Sequence, residues 1–257
     1  MIERTNVKIN LGLHVLRRRE DGFHDLETVF LPYGGYGDML EIEPSSRTSI
    51  HIGGPCYGGW EMDSDLTMQA YRLLAAEFSL PPVEISLIKN APVGAGLGGG
   101  SADAAFALKM LNTLFELGLG TAELETFAGR LGSDCAFFIQ NRPCFARGRG
   151  EILSACPVNV DDYEIRVEIP EGESVSTREA YANIIPRERQ AVALPSLSEV
   201  LKHPVSEWRN MLRNDFEQSV FPGHPAIAAL KEKFYAQGAE YASMSGSGAA
   251  VFALFKK

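Results

Sequence analysis

The sequence predicts an α+β fold, in which strands and helices are mixed without strict β-α-β alternation. An alternating strand pattern opens the chain, helical spacing follows at residues 66–78, and two strand-like segments flank residues 245–248 near its end. A chain of 257 residues can form a substantial core and one or two domains. Proline, asparagine and aspartates cluster at residues 156–162, so we expect two domains, 1–157 and 158–257.

The first half of the chain begins with a period-two pattern. Every second residue from Val7 to Val15 is apolar, which predicts a half-buried strand with Lys8 and Asn10 together on its outer face. Those two side chains are then about 6–7 Å apart. Further strands are predicted over residues 23–33, 38–43, 48–52 and 83–89, and helices over 66–78, 101–117 and 121–131.

The second half combines shorter elements. Pro225 stands in the first turn of the clearest helix, where proline is well tolerated. Strands are predicted over residues 163–169, 241–244 and 249–255, and helices over 177–183, 196–202, 214–220 and 225–236.

Composition and charge exclude several classes of protein. The net charge of −9 argues against a broad surface for nucleic acid or anionic membranes. No apolar run approaches the roughly 18 residues of a membrane span, and the N-terminus lacks a basic-plus-apolar signal. We therefore expect a cytoplasmic protein whose cysteines are reduced and mostly buried. They stand at Cys56, Cys135, Cys144 and Cys156.

Residues 92–105 carry the strongest chemical signal. Five glycines, at positions 94, 96 and 98–100, lead into Ser101 and a predicted helix. Glycine lets backbone N–H groups approach a ligand without a Cβ in the way. A helix N-terminus adds unpaired N–H groups and the positive end of its dipole. The segment therefore favours a phosphate-binding loop over a merely flexible connection.

Two other phosphate-binding loops fit this segment less well. No lysine precedes Ser101, so it is not a Walker A loop. Residues 94–99 match G-x-G-x-x-G, but residues 90–93 separate them from the preceding strand, and the candidate acid Glu116 lies near a helix end. A dinucleotide-binding oxidoreductase is therefore disfavoured.

Other polar residues have ordinary structural interpretations when taken alone. Lys8 could be a solvated strand lysine, Asp134 a helix cap and His24 a surface turn residue. Residues 245–248, Ser-Gly-Ser-Gly, could be a simple hairpin turn.

Three separated segments together resemble the GHMP kinase superfamily. They are residues 8–13 (K-I-N-L-G-L), the glycine loop, and residues 245–252 (S-G-S-G-A-A-V-F). The resemblance implies a small-molecule kinase that uses ATP. It also implies two α+β domains with the active site in the cleft between them.

Two further segments narrow the resemblance. Residues 21–28, D-G-F-H-D-L-E-T, and residues 131–138, L-G-S-D-C-A-F-F, are similar to one branch of the superfamily. That branch phosphorylates the 2-hydroxyl of 4-diphosphocytidyl-2-C-methyl-D-erythritol in non-mevalonate isoprenoid precursor biosynthesis. The chain differs from many relatives at Ala102, where a second serine is common, and at Phe23, where tyrosine is commoner. It also ends at Lys257, where relatives usually continue through a further helix.

The resemblance assigns roles residue by residue. It implies that Asp134 is the catalytic base and that Lys8 lies beside it. It also implies that Mg²⁺ accompanies ATP, although the sequence does not identify a protein ligand for the metal. The residues expected to bind the ATP phosphates are Pro92, Gly94, Ala95, Gly96, Leu97, Gly98, Gly99, Gly100 and Ser101. The residues expected to bind the acceptor are Asn10, Phe23, His24 and Tyr181, with the Phe23 and Tyr181 rings covering the cytosine and His24 bonding to its edge.

Rival functions stay open at this point. Another GHMP kinase would act on homoserine, mevalonate or a sugar, and a catalytically inactive relative would only bind nucleotide. Residues 21–24 argue against the first, and retention of Lys8 and Asp134 argues against the second. The expected partner is a small alcohol linked to cytidine diphosphate, with no nucleic acid or membrane, and the expected state is a monomer or weak homodimer.

Overall fold

The computed structural model describes residues 1–189 and 195–257 and divides the chain into two compact units. The first unit comprises Met1–Lys8, Pro32–Val93 and Gly98–Arg142. The second comprises Ile9–Leu31, Gly94–Leu97 and Pro143–Lys257. Among the described helices, none is both long enough and apolar enough to cross a membrane.

The first unit packs four helices with one sheet of order β1-β4-β6-β5. β4 runs antiparallel to β1 and β6, whereas β5 runs parallel to β6. Its strands are β1 (Ile2–Arg4), β4 (Met39–Pro44), β5 (Ser49–Gly53) and β6 (Val83–Ile88). Its helices are α1 (Leu66–Phe78), α2 (Gly99–Leu114), α3 (Thr121–Leu131) and α4 (Cys135–Gln140).

Local sequence explains where these helices begin and end. The Asp65 side chain accepts the backbone N–H of Thr67 and caps α1, and Ser79 ends that helix in a left-handed conformation. Glu123 bonds back to the N–H of Gly120 at the start of α3. Four of the nine buried residues of α2 are alanines, at Ala102, Ala104, Ala105 and Ala107, which lets neighbouring helices pack closely against it.

The second unit contains two sheets, of order β2-β3-β7-β8 and β10-β11-β9. Its strands are β2 (Val7–Arg18, which begins in the first unit), β3 (His24–Tyr33, which ends in the first unit), β7 (Cys144–Gly148), β8 (Ile152–Ala155), β9 (Tyr163–Glu168), β10 (Tyr241–Met244) and β11 (Val251–Lys256). Its helices are α5 (Thr177–Ala182), α6 (Leu197–Val200), α7 (Val205–Met211), α8 (Glu217–Val220) and α9 (Pro225–Ala236).

Helix α9 packs on β10 and β11 and closes the core of this unit. Ile227 and Phe234 are fully buried there, together with Val251 and Ala253. The residues between β10 and β11 form the predicted turn, since Met244 pairs with Val251 in an antiparallel ladder.

The prediction of mixed strands and helices is confirmed, but the prediction of a half-buried first strand is wrong. Lys8 and Asn10 are 4% and 2% exposed, so the face that they share is covered as well as the apolar face. Helix α2 begins at Gly99, two residues before the predicted start, and ends at Leu114 instead of residue 117. The elements that the sequence patterns missed are β1, α4, β7, β8 and α7.

Candidate active site

The glycine loop adopts a backbone that side chains disfavour. Gly94, Gly96 and Gly98 have φ values of 71°, 75° and 73°, in the left-handed region that glycine adopts without a steric clash from a Cβ. Gly99 and Gly100 lie in the first turn of α2, with Gly98 as its N-cap. The alternation of left-handed glycines brings the chain into the helix with few side chains around the backbone N–H groups.

The start of α2 has the properties of an anion site. Its first backbone N–H groups have no carbonyl partner inside the helix, and the positive end of the helix dipole lies there. The first helical bond of the segment runs from the N–H of Ala102 to the carbonyl of Gly98 at 2.9 Å. The N–H groups of Gly99, Gly100 and Ser101 therefore precede the regular hydrogen-bond ladder.

Lys8 lies beside this loop and pairs with Asp134. Its Nζ is 3.5 Å from Oδ2 of Asp134, and the two side chains are 5% and 29% exposed. A Cβ placed on Gly98 would lie 3.3 Å from both Cγ and Cε of Lys8, so the lysine stem packs directly against the loop. Burial lowers the pKa of Lys8, and the Asp134 carboxylate opposes that shift.

Asp134 occupies the N-cap position of α4 without acting as a cap. Within the described ranges its side chain makes no capping bond to that helix. Ser133 Oγ lies 3.5 Å from Asp134 Oδ1, at the outer limit of a hydrogen bond. The carboxylate is thus available for the Lys8 ammonium and for solvent, and it does not serve as the helix cap that its position in the sequence allows.

The thiol of Cys135 connects α4 with the start of α2. Burial raises the pKa of Cys135 to about 11, although a hydrogen bond with Ser101 acts in the opposite direction. This contact places Asp134, the neighbour of Cys135, close to the end of the predicted phosphate loop. The first unit therefore brings together Lys8, Asp134, Gly98 and Ser101.

In the second unit, residues 94–97 pack against the turn between β10 and β11. Ser245 Oγ donates to the carbonyl of Gly96 at 3.2 Å, and the N–H of Ala250 donates to the carbonyl of Ala95 at 3.1 Å. A Cβ on Gly96 would lie 2.2 Å from the carbonyl oxygen of Ser245, so only glycine fits there. The Ser-Gly-Ser-Gly turn therefore supports the glycine loop.

Asn10 belongs to the same arrangement. Its backbone N–H donates to Ser245 Oγ at 3.2 Å, and its amide nitrogen donates to Thr28 Oγ1 at 3.0 Å. The contact with Thr28 fixes the orientation of the amide. The role of Asn10 in acceptor binding stays a prediction.

Three of the predicted acceptor residues lie in the second unit close to aromatic or cationic partners. The His24 ring stacks on Tyr181 with centroids 4.7 Å apart and planes 20° from parallel. The edge of Phe216 supports Tyr181, with centroids again 4.7 Å apart. Phe23 is 54% exposed, and the Arg149 guanidinium lies 5.0 Å from its ring centroid. Burial lowers the pKa of His24, with a further lowering effect from Arg18.

Sequence reasoning missed two sets of buried ionisable residues. The sequence pattern predicts Lys89 only as the end of a strand, yet it bonds to Asp38 and Asp103 in the interior of the first unit. His14 is 1% exposed, and its Nε2 has no hydrogen-bond partner in the part of the chain that the structure describes. Two signals in the sequence could have indicated them. Asp103 is an aspartate among the alanines of α2, and His14 lies on the polar face of the first strand.

Two family models match the chain. The model of the GHMP kinases N terminal domain matches residues 65–142, and that of the GHMP kinases C terminal domain matches residues 196–257. The fold and the glycine loop therefore define a GHMP kinase, an ATP-dependent enzyme that acts on small molecules.

Full-length relatives identify the particular family. The 4-diphosphocytidyl-2-C-methyl-D-erythritol kinase of Bacteroides thetaiotaomicron is 50% identical over 260 residues, with 100% of this chain and 92% of the relative covered. The kinase of the same name from Cytophaga hutchinsonii is 46% identical, with 99% and 92% covered. A crystal structure of 4-(cytidine 5'-diphospho)-2C-methyl-D-erythritol kinase matches with a TM-score of 0.81 at 34% identity, over 99% of this chain and 90% of that one. The chain belongs to the 4-diphosphocytidyl-2-C-methyl-D-erythritol kinase family.

A more distant match separates fold from substrate. A homoserine kinase structure from Cytophaga hutchinsonii has a TM-score of 0.70 at only 19% identity, which shows a shared fold and no more. The resemblance to the GHMP kinases that the motifs predicted is thus confirmed, including its narrower branch.

Proposed function

We propose that this protein transfers the γ-phosphoryl group of ATP to the 2-hydroxyl of 4-diphosphocytidyl-2-C-methyl-D-erythritol, a step in the synthesis of non-mevalonate isoprenoid precursors. The observation that carries the proposal is 50% identity over the whole chain to a kinase of that name. The pairing of Lys8 with Asp134 supports it, because the two residues that the chemistry needs lie 3.5 Å apart.

The reaction depends mainly on positioning and on electrostatic stabilisation of the phosphoryl group. We assign phosphate binding to residues 94–101, through backbone N–H groups and the start of α2, with Pro92, which has no N–H to donate, shaping the entry to the loop. A hydroxyl is a weak nucleophile, so Asp134 would take its proton as the new P–O bond forms. The Lys8 ammonium would keep that carboxylate ionised and would attract the transferring phosphoryl group.

Acceptor recognition is assigned to the second unit. Phe23 and Tyr181 would cover the cytosine ring, and His24 would bond to its polar edge. Stacking contributes roughly 1–3 kcal/mol per base but discriminates poorly between bases. Selectivity for cytosine must therefore come from hydrogen bonds, since a wrong base would leave buried polar groups unpaired. His24 stacks on Tyr181, which would hold its ring in one orientation for that purpose.

Mg²⁺ would enter the site with the nucleotide. Residues 1–189 and 195–257 contain no group of three or more His, Cys, Asp or Glu that could hold a metal ion. A magnesium ion bound with ATP takes most of its ligands from phosphate oxygens and water, so it does not require such a group. The metal would supply charge neutralisation at the phosphates.

The cellular setting follows from the substrates and the charge. ATP and a nucleotide-linked alcohol are diffusible anions, and a net charge of −9 disfavours anionic membranes and nucleic acid as partners. We assign the enzyme to the cytoplasm, as a monomer or weak homodimer. Light scattering across a concentration series tests the assigned state, and a stable tetramer would contradict it.

The test of the proposed function compares acceptors under identical conditions. Purified enzyme with Mg-ATP is assayed on 4-diphosphocytidyl-2-C-methyl-D-erythritol, homoserine, mevalonate and galactose. The cytidylated alcohol should have by far the highest kcat/KM. If another alcohol is the efficient substrate, the assignment within the superfamily is wrong.

Aromatic variants test the acceptor site itself. Phe23→Ala should raise the KM for the cytidylated alcohol by about tenfold, because a stacking surface is lost. Phe78→Ala is the matched control, since Phe78 is also partly exposed, at 37%, but lies in the first unit. His24→Ala should also reduce the preference for cytosine over uracil, and an unchanged preference would remove His24 from base recognition.

A further inference from the structure

A sealed charge cluster lies beneath the phosphate loop in the first unit. It consists of one lysine and two aspartates, which are Lys89, Asp38 and Asp103. Their side chains are 2%, 0% and 1% exposed, so none of them reaches solvent. Charged side chains are rarely buried so completely, and this group plays no part in the proton transfer described above.

One side of the cluster holds the chain that enters the loop. Asp38 Oδ1 accepts the backbone N–H of Asn90 at 2.6 Å and that of Ala91 at 2.7 Å. Its other oxygen accepts a hydrogen bond from the Lys89 ammonium. Lys89 and the two residues after it, which lead into the loop, are thus held by a single carboxylate.

The other side holds the helix that leaves the loop. Lys89 Nζ donates to Asp103 Oδ2 at 2.5 Å, and Asp103 lies in the second turn of α2. The Thr5 hydroxyl donates to Asp103 Oδ1 at 3.1 Å and accepts the N–H of Asp38 at 3.0 Å. A Cβ on Gly99 would lie 3.7 Å from Asp38 and 3.8 Å from Lys89, so the cluster lies directly under the first residue of the helix.

Stability alone is a poor explanation for this arrangement. Buried ion pairs are often no more stabilising than apolar residues of the same size, and here two carboxylates share one ammonium. Burial raises the pKa of Asp103 to about 7, with Asp38 acting in the same direction and Lys89 opposing it. Burial thus disfavours the charged form of this carboxyl group, and the neighbouring Lys89 ammonium favours it.

We propose that Lys89, through Asp38 and Asp103, is a positioning residue for ATP that clamps the two ends of the phosphate loop together. The clamp keeps the N–H groups at the start of α2 in the orientation that the phosphates need. This inference rests on the proposed function, because it assumes that the loop binds ATP. Lys89 acts from below the loop without touching the nucleotide.

Lys89→Met tests the clamp, since methionine fills a similar volume without the charge. We expect the Kd for a non-hydrolysable ATP analogue to rise at least tenfold, while the Kd for CDP changes less than twofold. Lys231→Met is the matched control, because Lys231 forms a 2.6 Å ion pair with Glu217 in the second unit. That control should leave both dissociation constants unchanged.

Asp103→Asn keeps the test decisive if Lys89→Met does not fold. Lys89 and Asp38 are the charged groups that act on Asp103, and the Thr5 hydroxyl donates to it. Asparagine keeps the shape of the Asp103 side chain and removes the charge that the Lys89 ammonium contacts. At pH 8 we therefore expect the Kd for the ATP analogue to rise about three- to tenfold in Asp103→Asn, while the Kd for CDP changes less than twofold.

Each outcome bears on one claim. A wild-type enzyme that binds no ATP analogue or CDP would contradict the proposed function itself. If the wild type binds both, a folded Lys89→Met with unchanged ATP affinity overturns the clamp. A folded Asp103→Asn with unchanged ATP affinity would overturn it equally.

Discussion

Two lysine–aspartate groups in the first unit have the same chemistry and different surroundings. Lys8 faces one carboxylate at 3.5 Å, and that carboxylate is 29% exposed. Lys89 bonds to two carboxylates, and all three side chains are sealed from solvent. A partly exposed carboxylate is suited to proton transfer, whereas a sealed cluster is suited to holding the neighbouring backbone in place.

The two lysines also differ in the direction in which their pKa values are shifted. Burial lowers the pKa of Lys8, and a single carboxylate offsets this only in part. Burial also acts to lower the pKa of Lys89, but Asp103 and Asp38 together more than offset it, and the pKa is raised. The two carboxylates beside Lys89 outweigh the effect of its burial, whereas the one carboxylate beside Lys8 does not.

The largest expected effect comes from removing each lysine in turn. Lys8→Met should lower kcat by about 10²–10³-fold, because one electrostatic contact to the reacting groups is lost. Its free energy of unfolding should stay within about 1 kcal/mol of wild type, since Asp134 remains partly solvated. In Lys89→Met the free energy of unfolding should instead fall by about 3–5 kcal/mol, because two buried carboxylates lose their counter-charge. Urea unfolding and steady-state kinetics measure both variants, and equal stability losses would break the comparison.

The next largest effect is expected at Gly98, which packs against the side chain of Lys8. Gly98→Val should weaken ATP binding by about 10²-fold, because φ is 73° there and a Cβ would lie 3.3 Å from the Lys8 stem. Gly118→Val is the matched control, since φ is 71° and no described atom lies within 4 Å of its Cβ position. Calorimetric titration should find normal ATP affinity in the control and a large loss in Gly98→Val. An equal loss of ATP affinity in the two variants would show that backbone strain alone weakens binding.

His14 provides a third buried ionisable group and the smallest effect. Burial lowers the pKa of His14 to about 4, with Arg187 acting in the same direction and Asp215 and Glu27 opposing it. The unfolded state binds this proton near pH 6.5, so the histidine contributes full stability above that pH and loses it as pH falls toward 4. At pH 5 the free energy of unfolding of the wild type should therefore be about 2 kcal/mol lower because of His14 than it is above pH 6.5.

The measurement for His14 is urea unfolding at pH 7.5 and pH 5. His14→Phe should be less sensitive to acid than the wild type by about that amount. His51→Phe is the control, because His51 is an exposed residue of β5 and its loss should leave the acid sensitivity unchanged. A His14→Phe variant with wild-type acid sensitivity would show that His14 protonates freely in the folded state.

Local patterns predicted much of the fold. The helices over residues 66–78, 121–131 and 225–236 have the predicted bounds, since each has regular apolar spacing and clear end signals. The sequence pattern predicts the start of α2 two residues too late, because glycine is penalised in helix interiors. Gly99 and Gly100 stand in the first turn, where backbone N–H groups have no helical partner in any case.

The candidate site was predictable only where a motif is contiguous. The glycine loop and the L-G-S-D segment could be found from neighbouring residues, whereas the Lys89 cluster joins residues separated by 51 and 14 positions. Alternation along the first strand likewise indicated one buried face and could not show that the other face is covered too. Burial of a polar face depends on packing between elements, which a single sequence does not encode locally.

The most direct test of the two roles exchanges one aspartate in each group for its neutral isostere. Asp134→Asn should lower kcat on the cytidylated alcohol by about 10²–10⁴-fold with unchanged ATP affinity, because the base is lost and the loop is intact. Asp103→Asn should keep kcat within about threefold of wild type, since it removes no group that touches the reacting atoms. Rapid-quench turnover at saturating ATP compares the two variants directly. Near-normal turnover by Asp134→Asn, or an equal loss in both, would contradict the assignment of chemistry to the Lys8–Asp134 pair and of positioning to the Lys89 cluster.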